Sequence, residues 1–267
     1  MCSSDLGFLL TDFQRKPFQT LVHIAVTSLW VLPVLAARPA IRVAYAAASA
    51  ALFWYLSQRF YYTWVMTRPG IDGGPLGFLT WTTPVLVGSL AYDVVAARPP
   101  RAAAGRLFVW GLVLMAAGYG LSCLSRVLDP DATSVLAEAP FVAPPNSKDL
   151  RDRLSKVPEN APHLLWVMSQ RAGSISYQVF AAGFSLALYA LFVLACEVLG
   201  WRLALLETLG ANALAAYIIH DLVEHTLHPY TPRDAPLWYA LASFGVFFAI
   251  CYLFLRHLEK HRLFLRL

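Results

Sequence analysis

The sequence predicts an all-α fold, a polytopic transmembrane helix bundle with about seven spanning helices. Of its 267 residues, 58% are hydrophobic and only 14% are charged, whereas a soluble domain carries about 25% charged residues. The mean hydropathy is correspondingly high, at +0.55. The net charge of +5 comes from basic residues in short groups between apolar runs. That distribution is typical of membrane proteins, so we predict a lipid bilayer and not a nucleic acid as the partner.

Apolar runs of roughly 20 residues, the length that a spanning helix needs, define the predicted helices. The runs cover residues 18–36, 40–62, 76–97, 105–124, 175–200, 203–223 and 236–257. Segments that contain proline, often with glycine, separate most of them, and a helix is expected to stop there. The predicted organisation is helices one to four in 18–124, an external loop in 125–174 that contains a short helix at 148–156, and helices five to seven in 175–267. Residues 1–17 begin with MCSSDL, which is similar to translated vector DNA, and are expected to be a non-native or partial leader.

The basic residues of the short loops and termini predict the orientation of the bundle. One side holds Arg15, Lys16, Arg59, Arg68 and Arg233. The other side holds Arg38, Arg42, Arg98, Arg101, Arg106, Arg202, Arg256, Lys260, Arg262 and Arg266. Because short cytoplasmic loops carry the excess of Lys and Arg, the second side is predicted to be cytoplasmic. The long loop is then external and the C-terminus cytoplasmic.

The run 203–223 is predicted to be one helix that carries polar residues which are costly at membrane depth. Asn212 lies in its middle, and His220, Asp221 and Glu224 lie near its external end. His220 and Glu224 share a helix face, and Asp221 lies about 100° further round. We interpret His220 as a catalytic histidine, Asn212 as a catalytic hydrogen-bond donor and Asp221 as a substrate ligand. The alternative is a helix end whose polar side chains reach the headgroups or bond to neighbouring helices.

No metal site is predicted. The string HDLVEHTLH is one residue longer than an H-x-x-E-H zinc pattern, and His220 and His225 would lie about 140° apart on a helix. Cys123, Cys196 and Cys251 lie inside apolar runs without a C-x-x-C pair. They are therefore predicted to pack as small apolar residues. The chain also lacks G-x-S-x-G and Walker motifs, so it has no nucleophile elbow or nucleotide cradle of the soluble type.

A second candidate site lies in RPGIDGGPLGFLTWTTP, where Asp72 stands at the external mouth of the third helix. The glycines around it allow a ligand to approach the backbone closely, although a tight surface turn explains them equally well. The stretch HLLWVMSQRAGS is too short to span and is expected to dip into the membrane or lie on its surface. It would bring Gln170 and Arg171 to the same mouth. Asp72, Gln170 and Arg171 are therefore predicted to bind substrate.

A third candidate lies at the internal end of the third helix. Asp93, with Arg98 or Arg101 beyond it, could form a polar patch that receives a nucleotide-bearing donor. The alternative is an ion pair at a helix end. His23 lies near the external end of the first helix, and the sequence leaves open whether it joins His220 or packs in the interior.

The C-terminal half resembles a known family. SISYQVFAAGFSLALYALFVLACEVLGWRLALLETLGANALAAYIIHDLVEH is similar to the C-terminal helices of the heparan-alpha-glucosaminide N-acetyltransferase family and its bacterial relatives. In that family a Ser-Tyr pattern opens one span, and the next helix carries a small residue, an Asn, a Tyr and a His. Here these are Gly210, Asn212, Tyr217 and His220. GPLGFLTWTTPVLVGSLAYD is similar to the family segment that leads into a central helix.

The resemblance implies an integral membrane acyltransferase of a bacterial cytoplasmic membrane. Members move an acetyl group from cytosolic acetyl-CoA to a sugar amine or hydroxyl across the membrane, so the resemblance implies acetyl-CoA as the donor. The predicted contacts for such a donor are Asp93 and Arg98 of the internal polar patch. The family's reactive histidine lies in an N-terminal region near a Trp-Asn-Gly pattern, which this chain lacks. The chain is therefore expected to be the C-terminal part of such an enzyme. The acceptor would be a small molecule or an envelope glycan, and a homo-oligomer stays open.

The alternative function is a non-enzymatic transporter or export component for an envelope precursor. Such a protein would use the same polar residues as a substrate path. Dependence on acetyl-CoA separates the two hypotheses.

Overall fold

The computed structural model describes residues 20–67, 72–125, 164–202, 204–232 and 235–265, and within these ranges every regular element is helical. The helices are α1 (Thr20–Val31), α2 (Pro39–Leu56), α3 (Tyr62–Thr67), α4 (Phe78–Ala97), α5 (Pro100–Cys123), α6 (Ile175–Phe192), α7 (Ala204–Ala211), α8 (Ala213–Leu227) and α9 (Leu237–Lys260). Single π-helical turns extend α2 over Ser57–Tyr61 and α6 over Val193–Val198. The all-α prediction is confirmed. The expected leader and the predicted helix at 148–156 lie outside the described residues.

Five helices among the described residues are long and apolar enough to cross a membrane, which fits an integral membrane protein. They are Pro39–Met66, Gly74–Ala97, Pro100–Cys123, Ile175–Val198 and Leu237–Lys260. A shorter apolar helix covers Val22–Val34. The helix starts follow the sequence breakers, since Pro39 and Pro100 occupy the first turns of α2 and α5. Proline is favoured there because the first turn leaves its N–H groups unbonded in any case.

The chain forms two compact units, Met1–Val198 and Leu199–Leu267. In the first unit α4 is the central helix, because it packs against α1, α2, α5 and α6. A core cluster joins Ala91 of α4, Leu107 of α5 and Leu186 of α6. The connections place the starts of α4 and α6 and the end of α5 at one end of this unit. The start of α2, the end of α4 and the start of α5 lie at the other.

Glycines allow α5 and α6 to pack with their backbones in direct contact. A Cβ atom added to Gly118 would lie 2.6 Å from the backbone nitrogen of Phe180, and one added to Gly183 would lie 2.6 Å from the carbonyl oxygen of Gly111. Small residues at such contacts are the usual means by which helices associate within a membrane.

The stretch before α6 has no regular structure and folds over the end of the first unit. Leu164, Val167 and Ala172 are buried and form one cluster with Tyr62 and Met66 of α3. Its backbone is tied to α5 as well, because the Met168 N–H donates to Ser122 Oγ over 3.2 Å. The apolar side chains of this stretch therefore hold its polar end, residues 169–174, against the bundle.

The second unit differs from the prediction of one continuous sixth helix. α7 ends at Ala211 and α8 begins at Ala213, and Asn212 between them has φ −131° and ψ 49°, outside the helical region. Its Oδ1 accepts a hydrogen bond of 3.2 Å from the backbone N–H of Leu265. Asparagine is among the residues with low helix propensity, so a break at this position is consistent with the residue found there. α7 and α8 both pack against α9 within this unit.

Candidate functional site

Asp72 lies in a tight loop that leads into α4, and its side chain is buried, with 3% of the residue exposed. Asp72, Gly73 and Gly74 have φ values of 59°, 82° and 61°, in the left-handed region that only glycine adopts without cost. The hydroxyl of Tyr61 fixes the loop through two hydrogen bonds of 2.7 Å. It donates to the Gly73 carbonyl and accepts from the Leu76 N–H. The sequence IDGGP thus forms a rigid loop that directs a buried carboxylate.

The second loop of the site is the turn that precedes α6. The Gly73 N–H donates to the Arg171 carbonyl over 3.1 Å. A Cβ atom on Gly173, whose φ is 64°, would lie 2.7 Å from Gly73 Cα, so the two backbones touch. Gln170 Nε2 then donates to Asp72 Oδ1 over 3.0 Å. The structure therefore brings together Asp72 and Gln170, two residues that the sequence predicted as substrate ligands at the same mouth.

Arg171, the third predicted substrate ligand of this loop, has a structural contact. Its Nη2 donates to the carbonyl of Met66 at the end of α3, over 2.8 Å. Serine side chains shape the rest of the turn, since Ser174 Oγ accepts from the Ser169 N–H over 2.9 Å and caps α6 by accepting from the Tyr177 N–H. These bonds fix the backbone from which Gln170 reaches Asp72.

His23 lies beside the loop that carries Asp72. It is 1% exposed and stacks on Trp81 of α4, with ring centroids 5.9 Å apart. A Cβ atom added to Gly77 would lie 2.1 Å from the Asp72 carbonyl oxygen. Gly77 leaves room for the imidazole, because a Cβ atom there would lie 3.0 Å from His23 Cε1. The question that the sequence left open for His23 is thus answered in part: it packs within the first unit, next to Asp72.

A small cleft lies on the other side of the 169–174 turn. Trp54, Ser57 and Ser174 line it with apolar neighbours, and its volume is about 10 Å³. That volume holds a single water molecule. The cleft is therefore too small for a sugar.

At the opposite end of α4, Asp93 forms an ion pair with Arg42 of α2. Arg42 is buried and makes two further bonds of 3.0 Å, from Nε to the Ala37 carbonyl and from Nη1 to Ser89 Oγ. Arg98 follows the end of α4 and is exposed. The two predicted donor contacts therefore differ. The charge of Asp93 is compensated by Arg42, whereas Arg98 is exposed and free to contact a ligand. Arg42 entered the sequence prediction only as a loop charge, and no local pattern marked it as buried.

In the second unit, Asn212 is fully buried and held by Leu265, as described above. Its Nδ2 has no hydrogen-bond partner among the described residues. One helical turn earlier, the buried Thr208 donates to Glu259 Oε2 of α9 over 2.7 Å, and Arg256 also donates to that oxygen over 2.8 Å. The two N–H donors of Asn212 Nδ2 are therefore buried without a partner among the described residues.

His220 lies on α8 about 12 Å further along the axis than Asn212, at 1.5 Å per residue. It is half-buried and its ring contacts Tyr217 edge-on at 5.2 Å. Asp221 is exposed, and its carboxylate lies 3.7 Å from His225 Nδ1. Within the second unit, then, the structure does not bring the catalytic pair predicted from the sequence into contact.

Among the described residues, no three His, Cys, Asp or Glu side chains form a group that could hold a metal ion. Comparisons of the chain with protein-family models, with curated proteins and with solved structures give no match.

Proposed function

We propose that the chain is part of an integral membrane acyltransferase of a bacterial cytoplasmic membrane. The enzyme would transfer an acetyl group from acetyl-CoA to a sugar or envelope-glycan acceptor. The proposal rests on the family resemblance of α4, α6 and α8. The observation that carries it is the buried Asp72, fixed by Gln170 beside His23 at one end of the first unit.

The Asp72 site has the properties that binding an acceptor amine or hydroxyl requires. A fixed carboxylate attracts the N–H or O–H of the acceptor, and a neighbouring imidazole takes up a proton near neutral pH. The rigid loop holds the carboxylate and α1 holds the imidazole, so little entropy is lost when the acceptor binds. A transporter path would instead need polar groups that exchange partners as the substrate passes.

In the reaction, the acceptor nitrogen or oxygen attacks the thioester carbonyl carbon of acetyl-CoA. The new N–C or O–C bond forms, the C–S bond breaks, and the CoA thiolate leaves. A histidine base removes the acceptor proton, which finally protonates the thiolate, so the atoms balance without a further reactant. His220 is our candidate for this base from the sequence, and His23 is the candidate from the site.

The exposed Arg98, with Arg38 and Arg101 at the same end of the first unit, suits the phosphate groups of the donor. Asp93 does not oppose this, because Arg42 compensates its charge. In this proposal Asp93 holds Arg42 in place and does not itself contact the donor.

The test uses the full-length protein that contains this chain, in proteoliposomes with labelled acetyl-CoA and glucosamine. We expect labelled N-acetylglucosamine, with a rate that falls at least about a hundredfold in Asp72→Asn and in either His23→Gln or His220→Gln, the usual contribution of general acid–base catalysis. Glu207→Gln is the matched control, because Glu207 is an exposed carboxylate outside the site. Absence of donor-dependent product would overturn the proposal, and glucosamine uptake without acetyl-CoA would favour the transporter.

A further inference from the structure

The Arg42–Asp93 ion pair brings two exposed arginines to one place at an end of the first unit. Arg42 Nε donates to the carbonyl of Ala37, the residue before Arg38, over 3.0 Å. The same guanidinium pairs with Asp93, which precedes Arg98 by little more than one helical turn. Arg38 stands where α2 begins and Arg98 where α4 ends, and both are exposed. One buried side chain therefore holds together the two segments that carry them.

This end of the first unit has an excess of positive charge. Its described charged residues are five arginines and two carboxylates, namely Arg38, Arg42, Arg98, Arg101, Arg106, Asp93 and Glu197. Arg42 is engaged by its three bonds and compensates the charge of Asp93. The exposed arginines are thus left to bind an anion. A planar guanidinium matches two oxygens of a phosphate group with two parallel N–H groups.

The surface beside these arginines is apolar. Leu35 and Ile41 are 42% and 50% exposed, and Ile41 lies one turn from Arg38. Tyr92, the neighbour of Asp93, is 71% exposed, and tyrosine is favoured at the level of the lipid headgroups. Both α2 and α4 belong to spans that are long and apolar enough to cross a membrane. A soluble phosphate compound would use only the arginines, whereas a phospholipid would use the arginines and the apolar side chains.

We propose that Arg38 and Arg98 bind the headgroup phosphate of an anionic phospholipid where α2 begins and α4 ends. Basic pockets between spanning helices bind such headgroups. Arg42 and Asp93 hold the two helix ends together and do not contact the lipid. The proposed function assigns the exposed arginines of this end to the phosphates of a soluble donor, so the experiment compares lipid and donor.

The test counts the phospholipids that stay bound to the full-length protein that contains this chain, by native mass spectrometry from detergent micelles. Anionic phosphatidylglycerol is titrated in parallel with zwitterionic phosphatidylcholine. We expect the dissociation constant of phosphatidylglycerol to be lower by about tenfold or more, and the difference to shrink as salt is added. Arg38→Gln and Arg98→Gln should each weaken phosphatidylglycerol binding by about fivefold, the contribution of one arginine at an anionic surface.

The matched control is Arg59→Gln. Arg59 is an exposed arginine near the other end of the span that begins at Pro39, where it lies over the ring of Tyr55. The control should bind phosphatidylglycerol as the unchanged protein does, and all three variants should keep its melting temperature because the three side chains are exposed. Equal retention of the two lipids, or a loss of binding that is as large in Arg59→Gln, would overturn the proposal.

A titration with coenzyme A in place of lipid separates the two sources of phosphate. If Arg98→Gln weakens coenzyme A binding and leaves phosphatidylglycerol binding unchanged, the lipid site fails and the donor site stands. If phosphatidylglycerol binds through both arginines and coenzyme A does not bind, the donor contacts of the proposed function fail and the lipid site stands.

Discussion

At the scale of single residues, Asp72 combines a constrained backbone with a buried charge. It is one of two described residues other than glycine with a positive φ. Aspartate and asparagine visit the left-handed region more readily than other residues because their short polar side chains bond locally. Asp72 thus adopts the left-handed backbone conformation that the loop requires, as glycine would, and it also provides a carboxylate.

This predicts an unusual order of stability for substitutions of Asp72. Asp72→Gly should be more stable than Asp72→Ala by about 1 kcal/mol, because alanine is strained at this φ and glycine is not. Thermal unfolding of both purified variants in the same detergent measures the difference. In a helix or strand the order would be reversed, so a more stable alanine variant would refute the assigned backbone conformation.

The sequence predicted Asp72, Gln170 and Asp93 as polar sites, because charged and amide groups beside apolar runs are conspicuous. It predicted Gln170 at the same mouth as Asp72 but not the hydrogen bond between them, and it did not predict Arg42 as the partner of Asp93. Gln170 lies 98 residues from Asp72, and Arg42 lies 51 residues from Asp93. Such pairs form only between segments that pack together in the fold. The hydropathy pattern does not predict which helices pack together.

At the scale of elements, the contact between α5 and α6 depends on residues without side chains. Gly111 and Gly118 are seven residues apart and lie on one face of α5, where the backbone of α6 approaches them. A methyl group at either position would meet main-chain atoms, which cannot move aside as a flexible side chain can.

Gly118→Ala is therefore expected to lower the stability of the chain by about 1–3 kcal/mol, the usual cost of overpacking. Gly120→Ala, two residues away on the same helix, is the matched control, because an added Cβ there has no neighbour within 4 Å. The control should be neutral or stabilising by up to about 1 kcal/mol, since alanine favours the helix. Heating the two variants in detergent and following the monodisperse fraction by size exclusion gives the comparison. Equal melting temperatures would show that α5 and α6 do not pack through this face.

The spans α2, α4, α5, α6 and α9 follow the predicted apolar runs to within a few residues, apart from the extension of α2 through its π turn to Met66. Length and hydropathy suffice to predict such helices. An apolar segment in lipid must form all of its backbone hydrogen bonds internally, and a helix does so. The break between α7 and α8 was not predicted. Asn212 at the break accepts a hydrogen bond from Leu265, 53 residues away, and the local pattern of small apolar residues is helical on both sides of it.

At the scale of the whole molecule, the loop charges predict that the C-terminus is cytoplasmic and that residues 125–174 are external. The end of the first unit that carries Arg38, Arg98 and Arg101 would then face the donor, and the Asp72 end would face the acceptor. A transfer reaction across a membrane requires this separation of the two substrates.

Reporter fusions in bacterial cells test this orientation. A green fluorescent protein fused after residue 267 should fluoresce, because it folds in the cytoplasm. Alkaline phosphatase inserted within residues 126–163 should be active, and the same insertion at Pro99, between α4 and α5, should be inactive. The opposite pattern would place the Asp72 end in the cytoplasm and exchange the two substrate sides.

The interruption at Asn212 also affects how the second unit enters the membrane during synthesis. With 8 and 15 residues, α7 and α8 are about 12 Å and 22 Å long, and neither alone crosses a hydrocarbon core of about 30 Å. α9, with 24 residues, is the segment of this unit that is long enough to insert alone, and it leaves the ribosome last. We therefore expect α7 and α8 to take their final places only after α9 has been made, a few seconds later at roughly 5–20 residues per second.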